Sequence, residues 1–280
     1  MGQNIFFKKN GKFYTYSHKF FQILPWLIIL FSVSYILIML VLSYLIDFKG
    51  MDVLGLGSWL KSMYSGYPIF WIYAFTEGSP TEHIQWYFIF TSVVLAAFCF
   101  IMRSRRYSKV YWTWLLMLIG LTLMFFEDYY NIRHKTVDFI SSYYSIAPST
   151  KFMFLHLRTA VELFLYTVLG IIMIIALIYI LKDKRESLRG KKFLVMGYLF
   201  YAVASFSSAT RGIGNWYARL GRAILGDNWI DMAALVTQRP YRGNLGFYFM
   251  DFVFEEPLEL MGAAFITASL IYFVKYWKDN

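Results

Sequence analysis

The chain has 280 residues, of which 59% are hydrophobic, 21% aromatic and only 16% charged, with a mean hydropathy of +0.49. Soluble domains carry roughly 25% charged residues, and one soluble core could not hide so many Phe, Tyr, Trp, Leu and Ile side chains, so an all-α integral membrane bundle is expected. The lone cysteine, Cys99, excludes a disulfide framework and a cysteine-based zinc site.

Six stretches are apolar enough for helices across roughly 30 Å of hydrocarbon, which takes about 20 residues. They cover 20–46, 82–102, 110–126, 158–181, 193–210 and 254–274, in one transmembrane domain over 1–280. The first is too long for a signal-peptide apolar region and lacks a small-x-small cleavage site, so it reads as a retained helix. Met1-Gly2 fails the myristoylation pattern, because Phe6 stands where Ser or Thr is needed.

Between the spans, residues 47–81 hold Gly55-Leu56-Gly57-Ser58-Trp59 and the run Phe70-Trp71-Ile72-Tyr73, which reads as a re-entrant or interfacial piece. Residues 127–157 are polar, then aromatic. Residues 211–253 carry Trp216-Tyr217, Leu220, Ile224, Trp229-Ile230 and Leu235, interrupted by Arg219, Arg222, Asp227 and Asp231. A short amphipathic helix in the interface is expected there.

The net charge of +10 follows this arrangement. Cytoplasmic segments collect Lys and Arg. With the N-terminus inside, they hold Lys8, Lys9, Lys12 and Lys19, then Arg103, Arg105, Arg106 and Lys109. Lys182, Lys184, Arg185, Arg189, Lys191 and Lys192 follow, and last Lys275 and Lys278. Only Asp183, Glu186 and Asp279 oppose them. The expectation is a plasma (inner) membrane protein with both termini cytoplasmic, its basic face on anionic inner-leaflet lipid. No nucleic-acid partner is needed.

Carboxylates gather at the other face. The second span opens with Glu77-Gly78-Ser79-Pro80-Thr81-Glu82-His83-Ile84-Gln85, the fourth with His156, Arg158 and Glu162. The sixth opens with Asp251 and Glu255-Glu256-Pro257-Leu258-Glu259; the third ends in Glu127-Asp128-Tyr129-Tyr130-Asn131-Ile132-Arg133-His134, and the fifth near Arg211. Ionisable groups at membrane depth are costly unless they pair or face a wet cavity.

A structural reading competes. Ser79-Pro80-x-Glu82 fits a capping box, and Glu256-Pro257-x-Glu259 a poorer one. Arg158 and Glu162 form an i,i+4 pair. Glu127 and Asp128 resist this, because negative charge at a helix C-terminus costs about 0.3–1 kcal/mol per group. They need Arg133, His134, Arg158, Arg211 or a bound cation. Glu255, Glu259 and Gly262 share one helix face, with Gly262 allowing close approach of a neighbour.

The candidate binding residues are therefore Glu77, Glu82, Glu127, Asp128, Arg133, Arg158, Glu162, Arg211, Glu255, Glu256 and Glu259. They would line a pocket at the extracytoplasmic helix ends for a cation or a lipid or saccharide head group. His83, His134 and His156 are candidate ligands for a divalent metal cofactor, assembled across three helices because no HxxxH or HExxH spacing exists. A metal-dependent intramembrane hydrolase or transferase, with Glu127 or Asp128 as general base, is the alternative. A structural subunit of an envelope or defence complex, with a membrane-protein partner, is a third. There is no GxSxG, P-loop or Rossmann fingerprint in strand context.

Thr76-Glu77-Gly78-Ser79-Pro80-Thr81-Glu82, the pair Glu127-Asp128 with Asn131 and Arg133, and Glu255-Glu256-Pro257-Leu258-Glu259 resemble a pattern of uncharacterised bacterial multi-pass proteins. In that pattern the paired acids commonly precede Ser-Trp-Gly-Gln, where this chain has Tyr-Tyr-Asn-Ile. The resemblance implies a fold and a polar outer site, with no activity attached. Intramembrane ceramidase-like hydrolases use similar residue types, three His, a Ser and an acid around zinc, but their close Ser-x-x-x-His and His-x-x-x-His spacings are absent.

Overall fold

A computed structural model describes residues 11–63, 70–106, 111–147, 150–152, 155–211, 213, 215–226 and 245–279. Lys8, Lys9 and Lys109 of the basic segments lie outside the described residues. So do Asp227, Trp229, Ile230, Asp231 and Leu235 of the expected amphipathic stretch.

The chain is an all-α membrane bundle. Its elements are α1 (Gly11–Ser43), α2 (Leu56–Met63), α3 (Phe70–Phe75), α4 (Pro80–Arg106), α5 (Tyr111–Tyr130), α6 (Ile132–Tyr144), α7 (Leu157–Lys182), α8 (Leu188–Thr210), α9 (Trp216–Leu225), α10 (Leu245–Phe249) and α11 (Glu256–Asp279). A two-residue antiparallel ladder, β1 (Lys151–Phe152) with β2 (Leu155–His156), leads into α7. Among the described residues five helices are long and apolar enough to cross a membrane. The bent pair α5–α6 makes a sixth when counted as one span.

Several helices run further than their apolar cores. The second span reaches back through α3 to Phe70, and the last begins at Leu245 rather than 254. Both extensions carry polar residues held by partners from distant sequence. Asp47, on a π-helical turn closing α1 (Tyr44–Phe48), accepts from the backbone N–H of Phe70 at 2.6 Å and of Trp71 at 3.1 Å. That satisfies two orphan donors at the start of α3, and so the Phe70–Tyr73 run begins a packed helix with Phe70, Trp71, Ala74 and Phe75 buried. A second π-helical turn, Met250–Glu255, joins α10 to α11.

α11 is the hub. Two thirds of its apolar window is buried, against 17% in α1 and α7. Small residues let neighbours approach it, as expected where packing rather than water drives helix association. Gly197 of α8 faces the Gly262 carbonyl and Ile266, and a side chain on Gly262 would strike Tyr201. Around this seam lie Ile89 and Cys99 of α4, Trp114 and Leu121 of α5, Met173 of α7 and Phe273 of α11. The peripheral helices turn Leu30, Phe164 and Phe206 outward, each more than 60% exposed, a surface suited to lipid.

At one end of the bundle Arg103, one of the basic residues expected at the inner face, is fully buried. Its Nε donates to Glu186 Oε1 at 3.1 Å and its Nη2 to Asp183 Oδ2 at 2.9 Å, while Trp114 Nε1 also donates to Glu186 at 3.1 Å. A buried charge needs such partners. The short α7–α8 turn supplies them.

Candidate functional site

The opposite end holds the second charged cluster, gathered from five segments. The turn Glu77-Gly78, with Gly78 at φ +77°, starts α4. Glu82 reaches back to the Gly78 N–H, and the Glu82 N–H lies 3.4 Å from Ser79 Oγ. The capping box thus forms one residue out of register, with Ser79 N–H donating to Thr76 O instead.

Asn131 adopts a left-handed conformation, φ 49°, between α5 and α6, which meet at a 66° bend. Asn tolerates that region better than most residues. The bend folds Arg133 back onto Glu127, with which it forms an ion pair. Asp128 is served by Gln85, whose Nε2 donates to Asp128 Oδ2 and to Glu259 Oε2, each at 2.9 Å. Gln85 is 1% exposed and ties α4, α5 and α11 together.

On α7, Arg158 Nε donates to Glu162 Oε1 at 3.1 Å, and its Nη2 lies 2.5 Å from His134 Nδ1. Arg211, the residue after α8, pairs with Asp251 and approaches Glu162 Oε1 at 3.4 Å. Burial works against its charge, but Asp251, Glu255 and Glu162 outweigh burial and hold the guanidinium pKa above its ordinary value. Tyr217 of α9 is fully buried and donates to Glu255 Oε2 at 2.8 Å. Burial, then the adjacent Glu255, push its phenol pKa up, so it remains a donor.

Two cavities share this cluster. An open vestibule of about 570 Å³ is lined by Glu77, His134, Arg158, Glu162, Arg211 and Asp251, among others. A small inner chamber of about 40 Å³ is bounded by seven carboxylic side chains: Glu77, Glu82, Asp128, Asp251, Glu255, Glu256 and Glu259. Among the described residues only Arg133 and Arg211 oppose them on its wall. Glu77, Asn131, Arg211, Asp251 and Phe252 border both, so the two cavities adjoin. Glu256 Oε2 and Asn131 Oδ1 are buried acceptors with no hydrogen-bond partner among the described residues.

All eleven candidate binding residues fall in this cluster; Glu127 joins it through Arg133 rather than by lining either cavity. The three histidines are not brought together. His83 Nδ1 lies 2.7 Å from Ser79 O on its own helix, with its ring against Trp86. His134 sits between Arg158 and Glu77, 3.7 Å from the latter. His156 is exposed at the N-cap of α7. Among the described residues no group of three or more His, Cys, Asp or Glu is arranged to hold a metal ion.

Sequence reasoning passed over Asp251, Gln85, Asn131 and Tyr217 as site residues. Asp251 carries a usable signal, because 251, 255 and 259 repeat at the helical i,i+4 spacing. Tyr217 carries none; only the fold puts it under Glu255. No family model, curated protein or solved structure matches the chain.

Proposed function

We propose that the vestibule and chamber together bind the zwitterionic head group of a membrane lipid at the extracytoplasmic face. The phosphate would lie toward Arg158, Arg211 and His134, and the ammonium toward the carboxylates. The observation that carries this reading is the pair of unpartnered acceptors, Glu256 Oε2 and Asn131 Oδ1, on the wall of an acid-lined chamber. Buried acceptors left without donors cost about 1–3 kcal/mol each. An ammonium supplies the missing N–H groups and positive charge. Arginine forks suit phosphate, and a volume near 570 Å³ lies within the roughly 300–1,000 Å³ of small-molecule sites.

Arg158 and Arg211 already have carboxylate partners, while seven carboxylic side chains on the chamber wall face Arg133 and Arg211. The ammonium of a zwitterion meets that excess of acids while its phosphate turns to the arginines, whereas a bare anion would add to the negative charge. The role is recognition of a lipid within the bilayer, without a chemical step.

The test is thermal denaturation of the detergent-purified chain with glycerophosphoethanolamine, glycerol phosphate or ethanolammonium. A ligand of the folded state raises Tm by mass action. The zwitterion should raise it most, and more than either half at equal concentration. No shift with any of the three contradicts the reading. An equal shift with a neutral sugar alcohol does so too, and points to a saccharide site.

A further inference from the structure

A third cavity lies along α7, and it is mostly apolar. It holds about 150 Å³ between α5, α7, α8 and α11, with Leu169, Gly170 and Met173 on one side and Tyr198, Ala202 and Ile266 on the other. We propose that this groove holds the acyl chain of the lipid whose head group occupies the vestibule, an inference that rests on the head-group reading above.

Continuity along α7 carries the argument. Thr159 and Glu162 line the vestibule, while Tyr166, Leu169, Gly170 and Met173 line the groove. Their spacing of three or four residues puts them on one helix face. That face changes from polar to apolar over about 21 Å, at 1.5 Å per residue. An amphiphile has the same order of chemistry along its length.

The junction is built from two amphipathic side chains. Tyr166 closes the groove with its ring, and its hydroxyl donates to Ser208 Oγ at 3.1 Å. Arg133, on the chamber wall, stacks over that ring at 4.8 Å and donates to the same Ser208 Oγ at 3.3 Å. Tyr201 likewise borders the groove and packs against Gly262, one turn from Glu259.

The groove has room for part of a chain: about 150 Å³ of mostly apolar wall accommodates a small hydrocarbon segment. Nothing approaches within 4 Å of a side chain placed on Gly170, and Ala202 opposite is exposed. In a bilayer such an opening is filled by lipid.

The test is native mass spectrometry of the full chain, released from detergent with phosphatidylethanolamine, comparing wild type with Gly170→Phe and Ala202→Leu. Both substitutions fill open space, so Tm should be unchanged or raised. The expected result is one retained lipid per wild-type chain and at least a tenfold lower retained fraction in each variant, while glycerophosphoethanolamine still raises Tm in all three. Equal lipid retention in wild type and both variants overturns the groove. A wild-type chain that retains no lipid overturns it as well. Loss of lipid in the variants with no effect of glycerophosphoethanolamine on wild type leaves the groove standing and overturns the head-group reading alone.

Discussion

Arg211 Nη2 lies 3.4 Å from Glu162 Oε1, joining the end of α8 to the start of α7 across 49 positions of sequence. Glu162 is 4% exposed and Arg211 14%, so neither charge is free in water. Removing one partner of a buried pair strands the other, at a cost of about 3–5 kcal/mol. Arg211→Ala should therefore lower Tm sharply in detergent. Arg211→Lys keeps the charge but loses the planar fork that spans Glu162 and Asp251, and its Tm should fall between the two. A Tm for Arg211→Ala equal to wild type contradicts the pairing.

The Arg103 cluster allows a cleaner separation of charge from packing. Arg103→Ala takes the guanidinium from the buried Glu186, to which Trp114 Nε1 still donates, and should cost about 3–5 kcal/mol. The double variant Arg103→Met with Glu186→Leu replaces the pair with apolar groups of similar volume, which is often neutral. Thermal denaturation should thus rank the double variant above the single one. The reverse order would mean that the pair does more than satisfy itself.

Asp183 gives a pH signature at that same end. Burial raises its pKa, but hydrogen bonds from the Arg185 side chain and N–H, with the Arg103 charge, pull it below the ordinary value. With the folded pKa below an unfolded value near 3.9, its contribution is complete above about pH 4. It is lost as pH falls through the folded value. Asp183→Asn should lower Tm at pH 7, and the difference from wild type should shrink below pH 4. A difference independent of pH would assign the effect to packing.

Gly221 of α9 lies against the backbone of Gly246 in α10, so closely that a Cβ would overlap it. This contact seats Tyr217 beneath Glu255. Gly221→Ala should push α9 away at a cost of at least about 1–3 kcal/mol, and hydrogen exchange should rise in 216–225 while α11 stays protected. Unchanged exchange would show that α9 is held by its side chains alone.

How far the sequence carries is visible in individual residues. Glu127 and Asp128 announced a need for partners, because two carboxylates at a helix end oppose its dipole. Arg133 was legible, being six positions away; Gln85 was not, because its contacts to Asp128 and Glu259 span 43 and 174 positions. Apolar length pointed to helices but not to how far they run: the Phe70–Tyr73 run, read as a re-entrant or interfacial piece, and the turn from Leu245 join them through Asp47 and the α9 contact. Arg103 was counted only toward the basic inner face, since counting charges does not show which of them fold inward. The Asp183 and Glu186 carboxylates, two of only three acids on that face, were the available clue.

In the proposed function the chamber acids and vestibule arginines act as a ligand site, beyond a self-satisfied ion-pair network. Calorimetric titration of glycerophosphoethanolamine into wild type, Arg158→Ala and Glu256→Gln tests it most directly. Arg158 is half exposed and Arg211 still faces Glu162 when it is removed, so Arg158→Ala should lower Tm less than Arg211→Ala does. Glu256→Gln, whose Oε2 has no partner among the described residues, should keep the wild-type Tm. The account predicts saturable binding of one head group per wild-type chain, at least tenfold weaker in each variant. Binding of equal strength in all three, or none in wild type, would contradict it.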